Sequence, residues 1–427
     1  MPSTSFSLAT TPLRSGKLYR YNQGRTPPRA SWPCRRSRRS SGGSTPSMSH
    51  APSASLSRRH RTVRDALTTR ALDALVITAP SNVLYLTNFT GSSAILVLAA
   101  GSLCFITDFR YVTAVSDMAG TAHQCPDLEL VTVDGSYDAT LARVLAAHPW
   151  KRIGFEAAHL TVARHHWLAA TLAAGGSPAA ELVATDGLVE RARVRKDDHE
   201  IATLREAARR LSHVAAGIGA LVRRGATERD VALEIDVRVR RAGFERSAFE
   251  TIVASGPNGA LPHAAPGGRA ITEGDLVVLD FGGVYDSYCV DLTRTVSVGP
   301  ASTRAREVYA AVREARARAV ASVAPGRSRF EIDAAAREVL AGHGLGEAFG
   351  HGTGHGLGID VHEDPRITRR RPDVDAGDEE VATGMVFTIE PGAYLPGWGG
   401  VRIEDDVLVT DEGVEVLTDV TTELIEI

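Results

Sequence analysis

The chain has 427 residues, enough for two or three domains, and its 43% hydrophobic and 23% charged content fits a globular protein rather than a disordered or fibrous one. No stretch approaches the roughly 18 consecutive apolar residues of a membrane span, so no membrane partner is expected. The formal net charge of −3 is unevenly spread: residues 1–60 carry eleven Lys and Arg and no acid, which leaves about −14 on the rest and makes nucleic acid an unlikely main partner.

Residues 1–60 are rich in Ser, Pro, Gly and Arg, a composition that buries too little apolar surface to fold. The stretch lacks the apolar core of a secretory leader, although it shares Arg and Ser enrichment with transit peptides. A disordered basic extension, or a start assigned too early with Met48 as the true first residue, is expected. Organised sequence is expected from Arg61. A helical run through Leu67 and Leu72 precedes a short buried strand from Ala74 to Thr78. Further apolar runs start at Ala94 and Leu103, and another strand pattern covers Arg152 to Glu156. Helix and strand patterns alternate to Leu188, which predicts a small α/β domain over residues 61–190. It holds no cluster of metal ligands, so its expected roles are to shape the site and to support assembly. The four cysteines, Cys34, Cys104, Cys125 and Cys289, are scattered without CxxC spacing, which predicts a reducing compartment, the cytoplasm, and no disulfide framework.

Residues 191–427 read as the second domain. A charged linker over 191–210 runs into a long helix. Thr227 and Asp230 form a capping-box pattern at the head of a second helix that stops by Gly243. A strand from Phe249 to Ala254 leads to a loop ending at His263. A lone loop histidine is usually incidental, but this one stands just ahead of strands carrying acids, which makes it a candidate catalytic group. Those strands form a hairpin from Leu276 to Val296. With the turn centred between Tyr285 and Asp286, Asp280 is expected to face Asp291 across the ladder. Like charges so placed repel and destabilise a sheet unless a cation lies between them. Cys289 shares the strand face of Asp291 and reads as a packed thiol.

Helices are expected at about 303–323 and 329–342. The stretch from Gly350 to Glu363 then sets His351, His355 and His362 among five glycines, which permit close approach of backbone and ligand. A second hairpin, centred on Gly397, places Glu390 opposite Glu404, with Arg402 on the same face. Helix, helix and hairpin thus occur twice, which predicts an internal duplication with the site at its junction. One acidic pair near an arginine usually points to solvent. Two such pairs in apolar strands, with a His-Gly loop between them, point instead to metal ligation.

Four carboxylates and one imidazole (Asp280, Asp291, His355, Glu390 and Glu404) exceed the needs of one tetrahedral zinc. They suit two divalent metal ions about 3.5–4 Å apart, with Mn2+ favoured over Co2+, Zn2+ or Fe2+ by the carboxylate content. Metal-assisted hydrolysis follows from the residues alone.

From Arg195 onward, the motifs at Asp280, Asp291, His351 to Glu363, Ile389 to Gly392 and Val401 to Asp405 resemble the pita-bread metallopeptidases, the family of methionine aminopeptidase, aminopeptidase P and prolidase. The form of the histidine loop is similar to the Xaa-Pro peptidase branch. The stretch from Asn82 to Ser92 resembles the creatinase-like N-terminal domain of that branch. The resemblance implies an α+β chain: a C-terminal pita-bread fold with internal pseudo-duplication, preceded by a smaller creatinase-like α/β domain. It further implies that Asp280 chelates one ion and His355 the other, that Asp291 and Glu404 bridge them, and that Glu390 binds the second ion and takes a proton from the bridging water. His263 and His362 would meet the substrate carbonyl and stabilise its tetrahedral oxyanion. His351 would line the pocket beyond the scissile bond, and Arg402 would brace the site or meet a substrate carboxylate. A short proline-containing peptide as substrate, dipeptide or longer, and a homodimer are implied in the same way. The rivals are a creatinase-like C–N hydrolase, a binding protein with a degraded site, and nucleic-acid binding through the basic extension. All five retained ligands count against the first two.

Overall fold

The computed structural model describes residues 50–174, 180–370 and 379–427. The expectations for residues 1–49, the basic extension and the start at Met48, lie outside the described residues.

Organised structure begins earlier than Arg61. Helix α1 (Ser53–Thr69) includes eight residues that composition assigns to the extension. Its first two turns hold one large aliphatic residue, Leu56, and the rest of the buried face is polar: Ser55, Arg59 and His60. The apolar pattern missed this turn because charge and hydrogen bonds anchor it. His60 Nε2 donates to Leu86 O at 2.7 Å, and Arg59 Nη1 donates to Tyr85 O at 2.9 Å. Arg59 Nε lies 3.0 Å from Asp197 Oδ2, and Nη2 lies 3.5 Å from Glu200 Oε2. Arg59→Ala would leave the buried Glu200 and the partly buried Asp197 without their shared cation. We expect a loss of about 3–5 kcal/mol of stability, read as a lower denaturant midpoint. A shift below about 0.5 kcal/mol would show the network to be dispensable.

The N-terminal domain continues through β1 (Ala74–Ile77), α2 (Pro80–Thr87), β2 (Ile95–Ala99), β3 (Leu103–Thr107), α3 (Phe109–Asp117), β4 (Leu128–Thr132), α4 (Tyr137–Ala146), β5 (Arg152–Glu156), α5 (Val162–Ala174) and β6 (Glu181–Thr185). Its sheet runs β4-β3-β2-β1-β5-β6, antiparallel at β1–β2 and β2–β3 and parallel elsewhere. Strands β1 to β3 are buried along their whole length, which is why they read as unbroken apolar runs.

The expected charged linker resolves into α6 (Leu188–Val194), a break, and α7 (Asp198–Ala216), which opens on a capping box between Asp197 and Glu200. Helix α8 (Glu228–Arg241) opens on the predicted box of Thr227 and Asp230. Then follow β7 (Arg246–Ser247), β8 (Ile252–Ser255), β9 (Leu276–Tyr285), β10 (Tyr288–Ser297), α9 (Thr303–Ala321) and α10 (Arg329–Gly342). The chain ends in β11 (Gly354–Gly356), β12 (Glu363–Ile367), β13 (Val386–Ile389), β14 (Gly392–Leu395), β15 (Gly399–Arg402), β16 (Asp405–Thr410), β17 (Gly413–Val416) and β18 (Ile425–Glu426). The strand expected from Phe249 begins at Ile252, leaving Phe249 and Glu250 ahead of it.

Helix, helix and hairpin recur as α7, α8, β9–β10 and as α9, α10, β13–β16. Each helix pair covers its own strands. Leu204, Leu211, Ile235 and Val239 pack with Leu279, Val290 and Leu292, while Val308, Val312, Ile332 and Leu340 pack with Phe387, Ile389 and Val407. The first of these cores runs on into Val63, Leu67, Leu75 and Leu96, so the two domains share one apolar interior.

The register of the first hairpin differs from expectation. Tyr285 pairs with Tyr288, so Asp280 sits opposite Thr293 and Asp291 opposite Gly282. The cause is a two-residue turn in which Asp286 and Ser287 both take left-handed backbone, φ 48 and 69. The turn centre moves by one residue and the pairing by two. Parity is kept, so both aspartates still share a face and lie diagonally across it. The second hairpin has the predicted register. Ile389 pairs with Asp405 and Gly392 with Arg402, which brackets Glu390 against Glu404 at the break between two ladders.

Candidate active site

Nine side chains singled out in the sequence (His263, Asp280, Asp291, His351, His355, His362, Glu390, Arg402 and Glu404) line one cleft of about 570 Å³. The acids do not face solvent: Asp280, Asp291 and Glu404 are 8%, 5% and 2% exposed. His355 is carried by β11, pressed between β12 and β13. A Cβ on Gly354 would overlap Thr388 O and one on Gly356 would overlap Asp364 O, so glycine on both sides is what lets the imidazole in. The preceding loop is tied to α10, where Asp333 accepts from Thr353 N at 3.1 Å and from Thr353 Oγ1 at 2.8 Å.

Asp291, His355 and Glu404 each offer a ligand atom, all within 4.8 Å of one another. Glu390 Oε1 lies 3.8 Å from His355 Nε2. Asp280 gives Oδ2 to Arg402 and keeps Oδ1 free. The donor set fits divalent cations on three grounds. Asp280 Oδ1 and Asp291 Oδ1 are buried without a hydrogen-bond partner, a costly state that an ion would relieve. His355 Nδ1 donates to Gly356 O at 3.1 Å, which fixes the tautomer and turns the Nε2 lone pair toward the acids. Burial lowers His355 to about 3 and keeps it neutral, as a ligand must be. Finally, burial and mutual repulsion push Asp291 and Glu404 well above the usual carboxylate range, and burial lifts Glu390 to about 8. The protein atoms alone disfavour this concentration of charge, and cations reverse that sign.

Arg402 stands among the acids. It is buried and its guanidinium contacts Thr293 Oγ1, Tyr394 OH, Pro262 O and Asp280. Thr293 in turn donates to Glu404 Oε2 at 2.5 Å. Tyr394, which the sequence reading missed, links Arg402 to His351: Arg402 Nη1 donates to Tyr394 OH at 2.8 Å, and the hydroxyl donates to His351 Nε2 at 2.9 Å. His351 Nδ1 donates to Gly352 O at 2.8 Å, and burial lowers the ring to about 4. Tyr394 was within reach of the pattern, because it lies two residues along β14 from Gly392, the partner of Arg402. The rings of His362 and His355 meet edge to face with centroids 4.4 Å apart. Partial burial, with Arg366 and His263 nearby, lowers His362. Arg366 was also missed. It sits on β12 opposite His355, is exposed, and lines the cleft. Among the described residues its guanidinium has no hydrogen-bond or ion-pair partner, though its charge acts on Glu390. Cys289 is buried against Ile359 O, a packed thiol as expected.

A cleft that gathers buried acids, a neutral imidazole and three further histidines is the arrangement of a metal-dependent hydrolase. Residues 202–411 match the model of metallopeptidase family M24, and residues 59–195 match the creatinase/prolidase N-terminal domain. An uncharacterized peptidase of Bacillus subtilis, YqhT, is 38% identical over 354 residues, covering 83% of this chain and 96% of its own. Among solved structures, an Xaa-Pro dipeptidase from Bacillus anthracis superposes with TM-score 0.80 at 36% identity, over 87% of this chain and 100% of its own. An X-Pro aminopeptidase from Thermotoga maritima does so with TM-score 0.76 at 31% identity, over 86% and 99%. The chain belongs to metallopeptidase family M24. Its fold is the expected one, a creatinase-type N-terminal domain followed by the duplicated pita-bread domain, and its activity is that of a metallopeptidase. No helix among the described residues is long and apolar enough to cross a membrane.

Proposed function

We propose that this chain is a metal-dependent Xaa-Pro dipeptidase, cleaving the bond between an N-terminal residue and a C-terminal proline. The observation that carries the choice of a dipeptide is Arg366. Its guanidinium, without a hydrogen-bond or ion-pair partner among the described residues, stands in the cleft opposite His355, where a substrate carboxylate would meet it. Arg402, the other candidate for that contact, is already committed to the acids and Tyr394. The name of the Bacillus anthracis relative supports the same reading.

Asp280, Asp291, His355, Glu390 and Glu404 would hold two divalent cations, Mn2+ first, which lower the pKa of a bound water and polarise the scissile carbonyl. Glu390, raised by burial, is suited to accept and pass on a proton. His263 and His362 would donate to the carbonyl oxygen as it gains charge. His351, fixed by Tyr394 and Gly352 O, would wall the space for the proline ring, which has no N–H to be bound. Cytoplasmic location belongs to the same proposal, supported by the free thiols of Cys104, Cys125 and Cys289.

The test is hydrolysis of Ala-Pro against Ala-Pro-Ala with Mn2+, with and without chelator. Ala-Pro should be cleaved faster, only with metal. Arg366→Ala should raise KM for Ala-Pro by about 10- to 100-fold, the value of a charge-assisted hydrogen bond, and change little for Ala-Pro amide. Preference for the tripeptide would favour an aminopeptidase. No proline release from either substrate with metal bound would remove the peptidase reading of the site.

A further inference from the structure

A second polar cluster, built on the buried side chains of Arg193 and Glu363 with the half-exposed Asp360 beside them, lies outside the cleft, where the α/β domain meets the loop ahead of β12. Arg193 of α6 has 4% of its side chain exposed. Its Nη1 donates to Asn82 Oδ1 at 2.7 Å, and its Nη2 donates to Asp360 Oδ2 at 2.8 Å and also to Glu363 Oε1. Asn82 Nδ2 donates to Glu156 Oε1 and Glu190 Oε1, both at 2.7 Å, which ties the cluster to the end of β5. Lys196 Nζ stands 3.3 Å from Glu363 Oε2, and Ser81 Oγ donates to Asp360 Oδ1 at 2.6 Å. Glu363 Oε1 also accepts from Asp360 N at 2.9 Å, closing the short turn that holds His362. The chain leading into this turn packs on the same carboxylate: a Cβ at Gly358 would lie 2.9–3.1 Å from its atoms.

Arg193, Asp360 and Glu363 do not line the cleft, so they are not placed to touch substrate. Nor does attachment of the domains require them, since a continuous apolar core already joins the two. Buried ion clusters are weak glue, because desolvation offsets their attraction, but they fix geometry closely. What this one fixes is the turn carrying His362. We propose that Arg193 is a positioning residue for His362: its Nη2, shared by Asp360 and Glu363 while Nη1 is held by Asn82, sets where the imidazole stands and makes the α/β domain part of the substrate-binding apparatus.

The activity arm of the test rests on His362 acting as a carbonyl donor in the proposed peptidase. A second arm does not. In a double-mutant cycle, Arg193→Met should lower kcat/KM for Ala-Pro by about 10- to 100-fold in the wild-type background and by less than about twofold in the His362→Ala background. Equal losses in both would mean a general structural role and would overturn the proposal. Arg193→Lys, whose single ammonium can meet the two acids but cannot also reproduce the Nη1 contact to Asn82, should fall between. If Arg193→Met does not fold, Arg193→Lys and Glu363→Gln carry the same cycle. Independently of turnover, the ring resonances of the Zn2+-loaded protein report the imidazole directly. The His362 signal, assigned by its loss in His362→Ala, should move in Arg193→Met, or in Glu363→Gln where Arg193→Met does not fold, while that of His351 stays. An unmoved His362 signal would overturn the inference even if the enzyme is active. Conversely, a wild type that cleaves no Xaa-Pro peptide would remove the functional reading and leave this arm to decide.

Discussion

His355→Ala is expected to remove metal-stimulated hydrolysis, with kcat/KM falling by at least about 10³-fold, the several kcal/mol that a Lewis acid supplies. The fold should survive. The ring hydrogen-bonds to Gly356 O, and truncation to alanine removes side-chain atoms without altering the flanking glycines, which have no room for a Cβ of their own. Added Mn2+ should raise the melting temperature of the wild type, since saturation at about 100 times Kd is worth about 2.7 kcal/mol. The variant should lose most of that rise. Glu404→Gln makes the complementary case. It removes one charge from the buried set of Asp280, Asp291, Glu390 and Glu404 and can still accept from Thr293. The metal-free protein should therefore be more stable than wild type while metal affinity falls. Those opposite signs distinguish a metal site from a structural acid cluster, in which losing a carboxylate would destabilise under both conditions. If His355→Ala binds Mn2+ with unchanged affinity, the imidazole is not a ligand.

The acids were legible because strand parity survives errors of register. Placing the first turn one residue too early moved the partner of Asp280 from Thr293 to Asp291, yet both aspartates stayed on one face. The second hairpin was read correctly because Gly397 marks its turn. Arg366 was not legible. Its place in the cleft depends on β11 pairing with β12 through a register shift between His355 and Gly356, and no periodicity announces a bulge. Helix α1 was hidden for another reason: its first turns are held by Arg59 and His60, residues that a composition argument assigns to solvent. The contacts of Arg193 were equally out of reach, since Asn82, Arg193 and Glu363 come together only through the packing of two domains.

Glu390→Gln tests the proton rather than the ion. On the proposed reading, Glu390 both contacts the cation beside His355 and takes up the proton released during attack. Glutamine keeps one oxygen for coordination and gives up the basic site. The expected result is a fall in kcat of about 10²–10⁴-fold with KM nearly unchanged, the usual value of a positioned general base. Metal affinity should weaken far less than in His355→Ala. The pH profile adds a sign. Burial lifts the Glu390 carboxyl to about 8, and nearby cations pull it back down. A base must be unprotonated, so wild-type activity should rise with pH through an acidic limb lying below about 8. That limb should be absent from the residual activity of Glu390→Gln. If the variant keeps both its rate and its acidic limb, the proton goes elsewhere, and Glu390 serves the cation alone.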